Sequence, residues 1–190
     1  MAAEKTEQTV DEDGLALQKY VSTVLVVVPD LGFDDQALRH ARSCLYNVHV
    51  GTRTVSTESE QPVMGRLQDE FQVDGGVSGE TMEPYAGVVF VGCERESGFL
   101  DQPDVQRLAR EAAQAGKVIG AWGRSVAVLA RAGVLAGRRV TGHPAVAGEV
   151  RRAGGRYSGR QLERDGTLVT GLDEAVGMRL GKSLAQVVGI

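Results

Sequence analysis

Lys117-Val-Ile-Gly-Ala-Trp-Gly-Arg-Ser-Val-Ala-Val-Leu-Ala-Arg131 decides the fold. An apolar run stops at Gly120-Ala121-Trp122-Gly123, and a second run rich in small residues follows without a loop. The pattern is that of a buried parallel strand, a very tight turn and a buried helix, with small residues where strand hands over to helix. In hydrolases a turn of this kind is a nucleophile elbow, which lifts one reactive side chain above the sheet. Placed at the centre of the turn, the apex is Ala121, a residue with no nucleophile. The same stretch therefore predicts both a site and the absence of its usual chemistry.

Outward from the elbow, the chain alternates strand and helix signals. Val24-Leu-Val-Val-Val28 is a continuous run that reads as a strand buried on both faces. The loop Pro29 to Phe33 follows, and Asp34 or Asp35 caps a helix reaching about Tyr46, with Leu38, Ala41 and Leu45 at helical spacing and Cys44 beside them as an inert core thiol. Asn47 to Gly51 reads as the second strand. Thr52 to Glu83 has no helical period and reads as short strands and turns, with strands near Pro62 to Met64 and Phe71 to Val73. Ala86 to Val91 is another buried strand ending in Gly92-Cys93-Glu94, and Gln102-Pro103 opens a helix that Gly116 closes.

Beyond the elbow, Arg139 to Thr141 is a short strand and Gly142-His143-Pro144 turns into a helix stopped by Gly154-Gly155. Leu162 to Arg164 and Leu168 to Thr170 flank the hairpin turn Asp165-Gly166. A last helix begins at Asp173, with Val176, Leu180, Leu184 and Val187 on one face. The expectation is a flavodoxin-like, doubly wound α/β fold: a mostly parallel sheet, helices on both faces and a small β-hairpin insertion. It spans 23–190 as a single domain, after a disordered tail over 1–22 in which Leu15 to Tyr20 leaves room for a short amphipathic turn.

Composition narrows the partners. With 190 residues, 42% hydrophobic and 24% charged, the chain reads as one soluble globular domain. A net charge of −4 gives no reason to expect nucleic acid or an anionic membrane. No apolar run approaches the roughly 20 residues that span a bilayer. The polar, acidic start lacks a signal-peptide pattern, and the two cysteines have no metal or redox spacing, so the expected setting is the cytoplasm. His40 and His49 have no partner spacing for zinc, and neither G-x-G-x-x-G nor a Walker A motif is present. No cofactor and no metal are expected.

At this point the chain resembles the ThiJ/PfpI superfamily of the class I glutamine-amidotransferase-like fold, over about Thr23 to Val188. The resemblance rests on Ala132-Gly-Val-Leu-Ala-Gly-Arg-Arg-Val-Thr141, His143-Pro144, Gly154-Gly155, Tyr157 and Asp165-Gly-Thr-Leu-Val-Thr170, taken in order and spacing. It implies deglycase, peptidase, amidase or chaperone-like relatives and a homodimer or larger homo-oligomer. The superfamily's elbow reads Ile-Cys-His-Gly or Ile-Cys-Ala-Gly; here Ala121 stands for the Cys, and Trp122 beside it fills space where relatives admit substrate. The superfamily's Glu after the first strand falls on Asp34, its Pro-Gly-Gly turn on Val91-Gly92-Cys93, and its Ser-Arg loop on Thr170 to Asp173. Four positions differing together point to natural loss of the site rather than to one laboratory substitution.

The remnant site is then Asp34, Cys93, Ala121, Trp122 and His143. Each also has a plainer reading: Asp34 as a helix cap, Cys93 as a small turn residue, and His143 as a turn histidine bonded to backbone. Ser125 reads as a helix-start hydroxyl rather than a nucleophile. The leading expectation is a catalytically silent protein that binds a small molecule or assembles. The alternatives are a hydrolase or deglycase working through Cys93 or through an acid/base pair that includes Asp34, and a thiol-based stress sensor or chaperone that uses Cys93.

Overall fold

Strand β1 (Ser22–Val27) sends alternate side chains into two apolar layers. Val24 and Val26 join Leu38, Leu45, Trp122 and Leu180 on one side, whereas Leu25 and Val27 join Phe90, Leu108 and Leu129 on the other. A strand buried on both faces needs a run of valine and leucine, which is why Val24 to Val28 shows no polar alternation. The computed structural model describes residues 20–57, 62–93 and 98–189.

After β1 come β2 (Leu31–Phe33), α1 (Asp35–Tyr46), β3 (Val50–Ser56), β4 (Val63–Gly65), β5 (Glu70–Phe71) and β6 (Gly75–Gly76). The second half holds β7 (Gly87–Phe90), α2 (Pro103–Gln114), β8 (Val118–Trp122), α3 (Val126–Arg131), β9 (Arg139–Val140), α4 (Ala147–Arg152), β10 (Arg156–Tyr157), β11 (Leu162–Asp165), β12 (Leu168–Gly171) and α5 (Gly177–Val188). Among the described residues, the main sheet has seven strands in the order β11-β12-β8-β7-β1-β3-β6. Only the β11–β12 hairpin, turned at Asp165-Gly166, is antiparallel. The parallel strands β3-β1-β7-β8-β12 follow the flavodoxin-like order. The fold is thus the expected mostly parallel α/β sheet, with α1 and α5 on one face and α2 and α3 on the other. The hairpin extends the main sheet at its edge, and β2, β4 and β5 form a separate three-stranded sheet.

Three expectations are corrected. The second strand begins at Val50 rather than Asn47 and continues to Ser56; Asn47 to His49 form the turn after α1, with His49 at φ 60°. Strand β8 runs through Trp122, which pairs with Gly171, so Ala121 is a strand residue buried against the α2–α3 layer. The turn falls at Gly123, whose φ of 61° is the left-handed conformation that glycine adopts without a Cβ penalty. The elbow apex is therefore Gly123, two residues later than the centre of the apolar break suggests. As for the expected tail, 1–19 lie outside the described residues, and Ser22 already belongs to β1.

Helices α1 and α5 pack tightly at Gly177 and Gly181. A Cβ added at Gly181 lies 2.8 Å from the Ala41 Cα and 3.0 Å from the Cys44 Cβ. Backbone cannot yield as a side-chain tip does, so Gly181→Val separates the helices. The expected cost is about 1–3 kcal/mol of unfolding free energy, as for other overpacked cores. Urea denaturation checks it, and an unchanged midpoint contradicts this packing.

Candidate functional site

The switch point of the sheet lies between β1 and β7, where connections leave in opposite directions and a crevice opens at the carboxyl ends of the strands. Three chain segments meet there. The Asp34 backbone N–H donates to the Gly92 carbonyl at 2.9 Å, and Phe33 forms an antiparallel bridge with Cys93. Beside them, Gly123 turns the chain from β8 towards α3, and the His143 N–H donates to the Gly123 carbonyl at 3.1 Å. Between them lies a cleft of about 210 Å³ with Asp34, Cys93, Gly123 and His143 in its wall.

Asp34 is the buried charge of this cleft, only 6% exposed. It occupies the N-cap position of α1, yet its side chain makes no capping hydrogen bond. Its Oδ2 instead accepts the indole N–H of Trp122 at 2.9 Å. Burial pushes the carboxyl up to about 6, and the Trp122 hydrogen bond only partly opposes this. The expected capping role of Asp34 is thus corrected: its carboxyl is held at the cleft by a core residue. Trp122 is itself fully buried, packed in the α1–α5 layer, and lies outside the cleft wall. Its indole does not fill the crevice; it props the acid that faces it. Gly92 permits this approach, because a Cβ there lies 2.5 Å from both Asp34 Oδ2 and Trp122 Nε1.

Cys93 lies in the same wall, 5% exposed, with its sulfur 3.8 Å from Ser125 Oγ. Ser125 donates its hydroxyl proton to the Val91 carbonyl at 2.6 Å, which leaves the thiol as the donor of the Cys93–Ser125 contact. Burial raises the Cys93 thiol and the Asp34 charge raises it further, while Ser125 and Arg124 act the other way. The balance keeps sulfur protonated, the opposite of an activated nucleophile. Ser125 is wholly buried and committed to backbone, so it serves structure, as expected.

The outer rim comes from the segment after β4 and the turn before α5. Arg66, after β4, donates to Glu174 Oε1 at 2.9 Å, just before α5. The backbone N–H of Glu174 and the Arg66 guanidinium together hold that carboxyl below its usual range. Asp173 also lines the cleft and accepts the Ala175 N–H at 3.0 Å, capping the helical turn there. The His143 Nδ1 accepts the Ala145 N–H at 3.2 Å, so this residue both bonds backbone and faces the crevice.

Of the expected remnant residues, Asp34, Cys93 and His143 converge on one cleft; Ala121 and Trp122 do not line it. Arg66 and Glu174 went unread, while Gly123 was read only as part of the elbow turn and Asp173 only as part of the loop that starts the last helix. Both had a signal: Gly123 is the last glycine before the elbow helix, and Asp173 stands at the start of the last one. Among the described residues, no group of three or more His, Cys, Asp or Glu side chains is placed to hold a metal ion, and no helix is long and apolar enough to cross a membrane.

The sequence pattern of the DJ-1/PfpI family matches residues 22–186. The chain belongs to the DJ-1/PfpI family. Among its relatives is the uncharacterized protein MJ0967 of Methanocaldococcus jannaschii, 29% identical over 150 residues, which cover 77% of this chain and 73% of the relative. Solved family structures share the fold. A ThiJ/PfpI domain protein from Brachyspira murdochii superposes with a TM-score of 0.83 at 21% identity, over 89% of this chain and 97% of that one. Drosophila melanogaster DJ-1beta gives 0.77 at 18% identity, over 89% and 91%.

The raised carboxyl makes a signed prediction for this DJ-1/PfpI protein. Asp34 ionises near 6 when folded and near its ordinary 3.8 when unfolded, so between those values the folded chain binds more protons. Stability therefore falls as pH rises through that window, by up to roughly 3 kcal/mol for a shift of about two units. Asp34→Asn keeps an acceptor for Trp122 and removes the charge. It should raise the melting temperature by several degrees at pH 8 and leave it unchanged at pH 4. A loss of stability at both pH values would show that the ionised carboxylate is the favoured form.

Proposed function

We propose that this DJ-1/PfpI protein has no covalent catalysis and works by binding a small molecule in the Asp34 cleft. The observation that carries the reading is Gly123: the residue at the left-handed turn, beside the buried carboxyl, has no side chain. A Cβ built there lies 3.8 Å from the Gly92 Cα and 4.0 Å from Asp34 Oδ2, so a thiol or hydroxyl at this position would stand next to the acid. The position is suited to a nucleophile and carries none. What remains is a cleft with a protonatable carboxyl, a neutral thiol, an imidazole and a rim ion pair. That set donates and accepts hydrogen bonds without offering an attacking group. Resemblance to the superfamily adds a homodimer or larger homo-oligomer to this proposal, and two cysteines without metal or redox spacing add a cytoplasmic setting.

Cys93 supports a second reading, because its sulfur lines the same cleft as Asp34. As a nucleophile it would need a base to take its proton. Its hydrogen-bond partner is a serine hydroxyl already given to backbone, and its thiol is raised rather than lowered. The binding reading is therefore the better supported.

Two measurements separate them. Deglycase, amidase and peptidase substrates should give no turnover, while small-molecule ligands should change the fluorescence of Trp122, the sole tryptophan. Turnover that Cys93→Ser abolishes and Cys44→Ser preserves overturns the binding reading. Gly123→Cys provides the positive control: despite a backbone strain of about 1–2 kcal/mol at positive φ, it should gain a thiol that iodoacetamide labels faster than Cys93.

A further inference from the structure

Away from the cleft, α1 and α5 leave a groove of about 370 Å³ between them, walled by Cys44, Val48, Met178, Lys182 and Ala185. It is mostly apolar, with Val48 39% and Met178 42% exposed, and its floor holds a sulfur pair, Cys44 Sγ lying 3.5 Å from Met178 Sδ. Next to it, across the last turn of α1, a shallower depression of about 280 Å³ is walled by Arg39, Arg42, Tyr46 and Asn47. Asn47 belongs to both, so the two form a continuous surface that is apolar at one end and basic at the other.

The chain enters the fold at this surface. The Tyr20 ring lies 5.8 Å from the Tyr46 ring, and the Val21 N–H donates to the His49 carbonyl at 2.8 Å. Gly51 leaves the room for this: a Cβ there lies 2.9 Å from Tyr20 Cδ2. Immediately upstream the sequence reads Asp11-Glu-Asp-Gly-Leu15-Ala-Leu17-Gln-Lys19. Its leucines stand two residues apart, and Leu17 is three residues from the Tyr20 anchor, a reach of about 10 Å when extended. The acidic triplet Asp11 to Asp13 comes before them.

We propose that residues 11–19 dock on this surface, with Leu15 and Leu17 in the groove between α1 and α5 and Asp11 to Asp13 towards Arg39, Arg42 and Lys182. The segment matches the surface in both respects, apolar where the groove is apolar and acidic where its flank is basic. Asp69 already pairs with Arg39, so the acidic end meets the cationic cluster as a whole rather than one free guanidinium. The tether decides between occupants. A segment a few residues from its groove acts at an effective concentration of order millimolar, whereas a second copy of the chain has to compete at its bulk concentration. Docked, the segment covers the Cys44–Met178 sulfur pair and shields it from oxidants.

The test uses the full chain. Leu17→Cys is incubated in a glutathione redox buffer and mapped by non-reducing peptide mass spectrometry, at the working concentration and after dilution. Hydrogen peroxide oxidation of Met178 is followed separately in the unmodified chain and in Leu15→Asp with Leu17→Asp. A melting temperature equal to that of the unmodified chain checks that each variant is folded before it is labelled or oxidised. The expected results are a disulfide from the introduced cysteine to Cys44 of the same chain, in a yield independent of dilution, and several-fold faster Met178 oxidation in the double variant. A link formed only between chains, with a yield that falls on dilution, overturns the proposal and assigns the groove to a second copy. Met178 oxidation unchanged by the double variant also overturns it.

Discussion

The hydrogen bond from the Trp122 indole to the Asp34 carboxyl joins the two halves of the fold at the place where function is sought. Asp34 ends the first β-strand excursion, and Trp122 ends β8 on the far side of β7. For the bond to form, the segment leaving β7 must pass it with a residue that has no side chain, and Gly92, two residues beyond the strand, meets that demand. Trp122 must also face the α1–α5 layer, which the two-residue period of β8 fixes by sending Ala121 to the opposite layer. One contact therefore depends on strand length, on side-chain alternation and on a glycine in the segment that follows the neighbouring strand.

The contact is costly, and that makes it informative. A carboxyl 6% exposed with one neutral donor is poorly solvated, so it keeps its proton to about 6. A purely structural acid at this position would cap α1, a few ångströms away, and α1 goes without a side-chain cap. Strongly perturbed groups that face a cleft mark functional sites more often than structural ones. The surrounding groups agree with a binding role. The thiol is held neutral, the serine is turned to backbone, and the turn residue has no side chain, whereas the acid and imidazole remain directed at open space.

The architecture was legible because its signals were local and repeated. Val24 to Val28, Ala86 to Val91 and Lys117 to Trp122 are runs that only doubly buried strands require, and the helices between them carry caps, prolines and glycines at their ends. Where one residue mattered, the reading slipped. The apolar break around Gly120 to Gly123 does not say where the strand stops; that depends on β12, which pairs with β8 as far as Trp122 and Gly171. The apex moved from Ala121 to Gly123 for this reason. His49 reads as a strand residue by pattern yet adopts φ 60° in a turn, because α1 ends early enough to need one. The site was half legible. Asp34, Cys93 and His143 follow strands, where an α/β crevice lies. Arg66, Asp173 and Glu174 reach the cleft through loops whose course only the folded chain defines.

The protonation state of one carboxyl sets the character of the cleft. Selective ¹³C labelling of aspartate, with the Asp34 resonance assigned by its absence in Asp34→Asn, allows the side chain to be titrated directly by NMR. The expected midpoint is near 6, because burial beside a neutral indole donor outweighs the hydrogen bond it supplies. A midpoint at or below the ordinary 3.8 would mean a carboxylate stabilised by charge or solvent, and would contradict the cleft described here.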